Sequence, residues 1–392
     1  MNRVLLILIV SSGFLLIIYA NNDMFHPTVL QRGAETQLEM HGGSHGQHHT
    51  SNKHRYHYRR NATDFNAGHS SSNYNLFLIF ANENESLKHK LDLFLKSLLK
   101  YTSISVHLHV ITDENSQVSL ENSINTMFHK YRGNRLTGRL NHLYTIYDVN
   151  DARLKIKDIH ESLMPLFSYN SGSYYSDPLF LLSLGLHRIV DPAMKRGILV
   201  DCDIVFRSDA KELFDEFNKF SDENLFGLGP ELTPVYRHVL YKYRAKNPGT
   251  NFGNPYDMYF PEGSSDTLDD DNLRAKYIKH GYPGLNSGVV MLNFEAIRQS
   301  KLYEETLKPE NIKNLVEKYY FKGHLGDQDF YTLLGYEFPA VIYYLDCIWN
   351  RQLCVWWREH GYGEVFDAYF HCESKGKSVK IYHGNCNTRV PE

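Results

Sequence analysis

The sequence predicts an α/β fold with a doubly wound, largely parallel sheet in its folded part. Three observations carry this expectation. Tyr74–Phe80 and Ser103–Ile111 are apolar runs of strand length, and Ser86–Lys100 between them has helical periodicity. Strand, helix, strand in that order opens a sheet of this kind. Ile198-Leu199-Val200 is apolar throughout, as a strand covered on both faces must be, and it runs into Asp201-Cys202-Asp203. Residues 71–392 are also enough for one large core.

The N-terminal part has a different character. Val4–Ala20 is a run of 17 residues without charge or proline. At helical rise it spans about 25 Å, which suits a thin bilayer of the early secretory pathway. Arg3 precedes the run and Asn21-Asn22-Asp23 follow it. The positive-inside rule then leaves residues 1–3 as a cytoplasmic tail and the remainder lumenal. The alternative is a cleaved signal peptide; the run is long for an h-region, which favours a signal-anchor at 4–20. Residues 21–70 are polar, with Gly42-Gly43-Ser44-His45-Gly46 and seven histidines between His41 and His69. Such composition buries too little apolar surface to order itself and reads as a flexible stem. Its basic cluster, Lys53, Arg55, Arg59 and Arg60, reads as solvated linker. A formal net charge of −3 with dispersed basic residues argues against a nucleic-acid partner.

Four of the five cysteines, Cys347, Cys354, Cys372 and Cys386, lie near the C-terminus. In a lumenal compartment they are expected to form two disulfides, and three pairings are open. Cys202 is left as a small buried apolar residue. Asn61-Ala62-Thr63 and Asn84-Glu85-Ser86 are glycosylation sequons, which suit a lumenal domain.

The first strand, Tyr74–Phe80, leads to the helix Ser86–Lys100, whose Leu87, Leu91, Phe94, Leu95, Leu98 and Leu99 share one face. The second strand ends in the turn Thr112–Asn115. Ligands of doubly wound sheets sit past the carboxyl ends of the strands, so the loops after Phe80 and Ile111 are candidate nucleotide contacts. Gly-x-Gly-x-x-Gly and Walker sequences are both absent. Tyr144–Tyr147 is a third strand. Asp177-Pro178-Leu179 starts a helix through Gly185, and Arg188–Asp191 is a short strand. After the central strand come a helix over Asp209–Phe217, capped by Ser208, and a strand at Leu225–Leu228. Residues 229–283 form a polar excursion on the ligand side, in which Arg237, His238, Tyr241, Lys242 and Arg244 have helical spacing. Asn286, Ser287 and Gly288 make a tight turn into the strand Val289–Leu292. Gly323–Asp329 leads the helix Phe330–Leu334, and Val379–Tyr382 is a short strand closed by His383-Gly384-Asn385.

Side chains alternate along a strand, so Asp201 and Asp203 are expected on one face with Cys202 opposite. Two carboxylates at a strand end make an oxygen-rich site for a divalent cation, and a cation there can bridge a diphosphate. The chemistry points to a nucleotide-activated donor.

Asp201-Cys202-Asp203, Leu285-Asn286-Ser287-Gly288, Gly326-Asp327-Gln328-Asp329 and Tyr382-His383-Gly384, in that order, resemble glycosyltransferase family 8. The resemblance runs from about Tyr74 to the end. It implies a GT-A catalytic domain over 71–392, a single Rossmann-like mixed sheet flanked by helices, and a retaining enzyme that depends on Mn²⁺. Tyr382–Thr388 and Trp356-Trp357 are similar to the branch that moves xylose from UDP-xylose in an α-1,3 linkage onto xylose. That branch implies an acceptor, the xylose-glucose disaccharide O-linked to serine on EGF-like repeats such as those of Notch. It also implies a single-pass type II protein of the endoplasmic reticulum membrane. The chain departs from the glycogenin-like branch after His383-Gly384, where Asn385-Cys386-Asn387 brings no lysine.

Carried onto this sequence, the resemblance makes Asp201, Asp203 and His383 the metal ligands. Asp327 and Gln328 become the polar pair at the donor sugar, with Gln328 beside the anomeric carbon. Glutamine is no strong nucleophile, so retention implies same-face attack; Asp327 is the carboxylate expected nearby for a double displacement. Asn286, Ser287, Gly288, Gly384 and Asn385 are expected to line donor or acceptor, and Trp357 either stacks on a sugar or packs beneath the disulfide-linked segment. Two other functions fit the same motifs: a glucoside α-1,3-xylosyltransferase that adds the first xylose to O-glucose, and a non-catalytic sugar-binding module.

Overall fold

The structure is a computed structural model that describes residues 74–131, 142–167, 177–258, 280–372 and 378–391. The expected tail, signal-anchor and stem lie outside the described residues. Among the described residues, no helix is long and apolar enough to cross a membrane.

Seven strands form the main sheet: β1 (Asn75–Phe80), β2 (His107–Thr112), β3 (Leu143–Asp148), β4 (Gly197–Val200), β6 (Phe226–Pro230), β7 (Leu285–Leu292) and β8 (Ile342–Tyr344). Their order is β3-β2-β1-β4-β7-β6-β8. All neighbours are parallel except β7, which runs antiparallel to both β4 and β6. The sheet is therefore mixed, as expected. The chain moves outward from β1 to β3 and returns to place β4 on the other side of β1. That reversal is a topological switch point, and sheets of this kind bind ligands past the carboxyl ends of their strands at such points.

Alternation along β1 divides the core in two. Leu76, Leu78 and Phe80 pack with Leu91, Phe94, Leu95 and Leu98 of helix α1 (Glu85–Tyr101) on one face. Phe77 packs with Leu182, Phe294 and Phe330 on the other. Apolar side chains on both faces explain why β1 and β4 read as continuous hydrophobic runs. Helix α1 is capped by Asn84, whose side chain accepts from the Leu87 N–H at 2.9 Å.

A second, small sheet has the order β5-β10-β9, with β5 Ile204–Phe206, β9 Arg351–Gln352 and β10 Ile381–His383. β10 is antiparallel to β5, pairing His383 with Ile204, and parallel to β9, pairing His383 with Gln352. The disulfides are Cys347–Cys372 and Cys354–Cys386. The second of these fastens the chain after β9 to the chain after β10. Cys202 is buried, with its thiol donating to the Ile79 carbonyl at 3.1 Å.

Several expectations need correction. The turn at Thr112–Asn115 opens a helix, α2 (Glu114–Tyr131), with buried Leu120 and Ile124 on its inner face. Arg188–Asp191 is not a strand. Arg188 and Ile189 end helix α3 (Leu182–Ile189), which follows a 3₁₀ turn at Pro178–Leu181, and Leu182, Leu186 and Ile189 bury its helical face. The cap of helix α4 (Ala210–Asp215) is Asp209, which accepts from the Lys211 N–H, and not Ser208. The basic segment after β6 breaks into two short helices, Val235–Val239 and Tyr241–Lys246. Asn286, Ser287 and Gly288 form no entrance turn; they lie within β7. Helix α5 begins at Asp327 and runs to Glu337, longer at both ends than expected. The last strand extends to include His383.

Loss of the Cys354–Cys386 crosslink should destabilise the domain markedly. For a separation of 32 residues, the loop-entropy relation gives about 3–4 kcal/mol. C354A/C386A should lower the thermal midpoint and should also weaken divalent-cation binding, because β10 carries His383. Calorimetry and Mn²⁺ titration of the variant check both effects.

Candidate active site

Asp201 and Asp203 do not sit on a strand. β4 ends at Val200, and Asp201–Asp203 form the connection that crosses into β5. The two carboxylates still converge, because the small sheet brings His383 to them. His383 Nε2 lies 3.4 Å from Asp201 Oδ2 and 3.4 Å from Asp203 Oδ1. The three ligand atoms all fall within 4.8 Å of one another. Asp201 opens to solvent, with its side chain 55% exposed, whereas the His383 side chain is only 5% exposed. The arrangement is a buried imidazole with one outward carboxylate.

Charge holds this cluster together. Burial alone would raise Asp203, but His383 and Lys90 overcome it and hold the carboxyl at about 2. Burial alone would lower His383; hydrogen bonds and charges from Asp201 and Asp203 instead raise it to about 10. Lys90, from α1, approaches Asp203 Oδ2 at 3.4 Å. The donors are two carboxylates and one imidazole, a mixed oxygen and nitrogen set that fits a borderline divalent cation such as Mn²⁺. An all-oxygen octahedral set would favour Mg²⁺.

Local backbone explains the placement of the imidazole. β7 carries an irregularity against β6: Leu228 pairs with Val290 and the next residue, Gly229, with Asn286. Ser287, Gly288 and Val289 are extra on β7, and Asp201 N–H donates to the Gly288 carbonyl at 3.0 Å. Bulges of this kind re-aim residues beside active sites. A Cβ on Gly288 would stand 2.2 Å from His383 Cε1, so only glycine lets the ring seat there. At Gly384, a Cβ would stand 2.6 Å from the Thr388 carbonyl oxygen, and its N–H donates to the Asp203 carbonyl at 2.8 Å. Both glycines shape the candidate metal site by close approach.

The start of α5 faces this edge of the sheet. Asp327 accepts from Ser287 Oγ at 3.0 Å and from Ser183 Oγ. Burial is the main cause that pushes the Asp327 carboxyl to about 7, with the Asp201 charge adding to it. Gln328 accepts from the Ser287 N–H at 3.4 Å through Oε1. Its Nε2 donates to Glu231 Oε2 at 3.2 Å and to Tyr236 Oη at 3.3 Å. With the amide nitrogen so engaged, Gln328 offers its carbonyl oxygen to a ligand.

The structure separates the remaining site residues by role. Asn286 is buried, and its amide is used between Glu231, Asn350 and the Gly288 N–H. Asn385 accepts from the Leu353 and Cys354 N–H groups, so it fastens β10 to the chain after β9. Trp357 is buried with its ring 5.4 Å from His238, 5.2 Å from Tyr362 and 4.9 Å from Trp356, which supports packing over sugar stacking. Arg244 donates to the Phe252 carbonyl and Asn254, so it serves the excursion's own structure.

Sequence reasoning missed Glu231, Ser183, Asn350 and Lys90. Glu231 is a second carboxylate beside Gln328, at 3.2 Å, so Asp327 is not alone. One signal was present: a single acid directly after the apolar run Phe226–Pro230, at the same sheet edge as Asp201. The others reach the site from distant elements and carry no local pattern.

No protein-family profile matches the chain. It is 39% identical to human xyloside xylosyltransferase 1 over 325 residues, 81% of this chain and 75% of that protein. The mouse xyloside xylosyltransferase 1 matches with the same identity and coverage. The crystal structure of the mouse protein in its apo form superposes with a TM-score of 0.68 at 37% identity, covering 81% of this chain and 99% of the other.

Gly288→Ala should displace the imidazole. Overpacking of this kind costs about 1–3 kcal/mol, so the domain should still fold. Mn²⁺ affinity should fall by roughly tenfold or more, as when ligand orientation is lost. Thermal melting and Mn²⁺ titration report the two effects separately.

Proposed function

The chain belongs to the xyloside xylosyltransferase family, within glycosyltransferase family 8, and from that premise we propose that it transfers xylose from UDP-xylose to an α-linked xylose with retention. The acceptor is the xylose-glucose disaccharide O-linked to serine on EGF-like repeats, including those of Notch, and the new linkage is α-1,3. The observation that carries the reading is the convergence at one sheet edge of Asp201, Asp203 and His383 with the Asp327-Gln328 start of α5. The first group suits a diphosphate and the second suits a sugar. Ser287 on β7 touches the second group while its neighbour Gly288 seats the first.

Asp201, Asp203 and His383 would hold Mn²⁺. A divalent cation on these side chains supplies Lewis-acid stabilisation of the charge that develops on departing UDP. Lys90 adds a fixed positive charge at the same end. At the sugar end, Gln328 presents a neutral carbonyl oxygen whose partial negative charge favours an oxocarbenium-like xylose. Asp327 is held by Ser183 and Ser287, which suits it to orient donor hydroxyls. Retention then follows from attack on the face the leaving phosphate vacates, with that phosphate taking the acceptor proton.

We place the protein in the endoplasmic reticulum membrane as a single-pass type II protein. Residues 4–20 are its anchor, 21–70 its stem and 71–392 its lumenal catalytic domain. The apolar run after Arg3 supports the orientation, and two disulfides support an oxidising compartment.

Purified protein with Mn²⁺ and UDP-xylose should extend an EGF-like repeat carrying xylose-glucose and leave one carrying only glucose nearly untouched. Mass spectrometry reads the product, and NMR reads its anomeric configuration. Preference for the glucose-only repeat would make it the first-xylose enzyme instead. Neither transfer nor donor hydrolysis would point to a sugar-binding module. Gln328→Ala should lower kcat by about 10²–10³-fold, the usual cost of one preorganised polar group. Asp203→Asn should abolish Mn²⁺ binding and transfer together.

A further inference from the structure

Glu231 follows β6 directly and is 3% exposed. Its carboxylate takes four hydrogen bonds. Oε1 accepts from the Thr233 N–H at 3.0 Å and from Thr233 Oγ1 at 2.6 Å. Oε2 accepts from Asn286 Nδ2 at 2.9 Å and from Gln328 Nε2 at 3.2 Å. Burial raises the Glu231 carboxyl, and the hydrogen bonds from Thr233 and Asn286 oppose that by favouring the ionised form, which only accepts. Both amides must therefore turn their NH₂ groups toward it.

The consequence travels in two directions. On one side, Asn286 is left with its Oδ1 facing Asn350 Nδ2, which donates at 2.8 Å. Asn350 in turn faces His383 Nδ1 with its Oδ1, at 3.0 Å. That oxygen needs a proton on Nδ1, so in the neutral ring Nε2 keeps its lone pair toward Asp201 and Asp203. On the other side, Gln328 cannot flip without placing its carbonyl against the carboxylate.

We propose that Glu231 is a positioning residue that sets both the metal-binding tautomer of His383 and the orientation of the Gln328 amide. One buried acid thus couples the two halves of the site. The assignment rests on the preceding reading that Asp201, Asp203 and His383 bind Mn²⁺. It also separates Glu231 from a nucleophile: all four of its hydrogen bonds are committed to the protein.

Mn²⁺ binding to nucleotide-free protein, followed by electron paramagnetic resonance, tests the relay without turnover. Glu231→Gln puts a donor against Asn286 or Thr233 and should weaken Mn²⁺ binding by roughly tenfold or more, although Glu231 is no ligand. Asn350→Ala cuts the relay midway, should weaken Mn²⁺ to a similar extent, and carries the test if E231Q does not fold. In the double variant the losses should not add, because both changes break one chain of contacts. Unchanged Mn²⁺ affinity in N350A or in folded E231Q, or additive losses, would overturn the proposal. So would β-xylosyl azide from Glu231→Ala with azide and UDP-xylose, since that product marks a covalent nucleophile. If D203A binds Mn²⁺ as tightly as the unaltered protein, the metal reading falls and this one with it. If D203A loses Mn²⁺ while N350A keeps it, only the relay falls.

Discussion

Two carboxylates held beside one buried imidazole form the constraint on which the rest of the site depends. Desolvation opposes the charges on Asp203 and His383, and the opposite charges beside each reverse that penalty. The cluster is therefore cohesive only when all three side chains are held at close range. Asp203 is largely buried and closes the inner side, while Asp201 reaches outward. This asymmetry suits a cation that must face both protein and a diphosphate.

The two sheets divide the work of meeting that constraint. The main sheet brings Asp201 to its switch point, where doubly wound folds bind ligands. It cannot supply His383, which lies far along the chain. The small sheet does so by pairing β10 against β5, the strand that directly follows the acids. The crossing from β4 to β5 thus has a structural purpose: the turn that carries the acids also builds the edge on which the histidine strand docks. The Cys354–Cys386 disulfide and the Asn385 cap fix that docking from the far side. The extra residues of β7 complete it, since a regular strand would not bring Gly288 beneath the ring.

What was legible in the sequence follows from how local each signal is. β1, β4 and helix α1 announced themselves because burial on both faces, or on one helical face, writes a periodicity into adjacent residues. Asp201, Asp203, His383 and the Asp327-Gln328 pair were found through short motifs and a family resemblance. The alternation argument expected the two acids to converge, and they do, but for another reason. They converge by crossing between sheets, and strand geometry plays no part in it. Asn-Ser-Gly favours turns, yet pairing with Gly229 of β6 holds Asn286 in β7. Asn350 and Ser183 were invisible for a plainer reason. Their side-chain contacts with the site span at least 33 positions, and such contacts leave no periodic trace.

The carboxylates nearest Gln328 bear on how configuration is retained. A double displacement needs an acid whose lone pairs are free to reach the anomeric carbon. Asp327 has both oxygens engaged by Ser183 and Ser287. Glu231 has both engaged by Thr233, Asn286 and Gln328. Releasing either would leave buried donors without partners, at about 1–3 kcal/mol for each orphaned group, before any bond to sugar forms. The Gln328 carbonyl carries less of that cost: it accepts only from the Ser287 N–H, at 3.4 Å, and keeps a second lone pair, while the amide nitrogen is held by Glu231 and Tyr236. A neutral oxygen fixed in that way can stabilise positive charge on the sugar without capturing it. The hydrogen bonds that engage the acids therefore also orient the group that suits same-face attack.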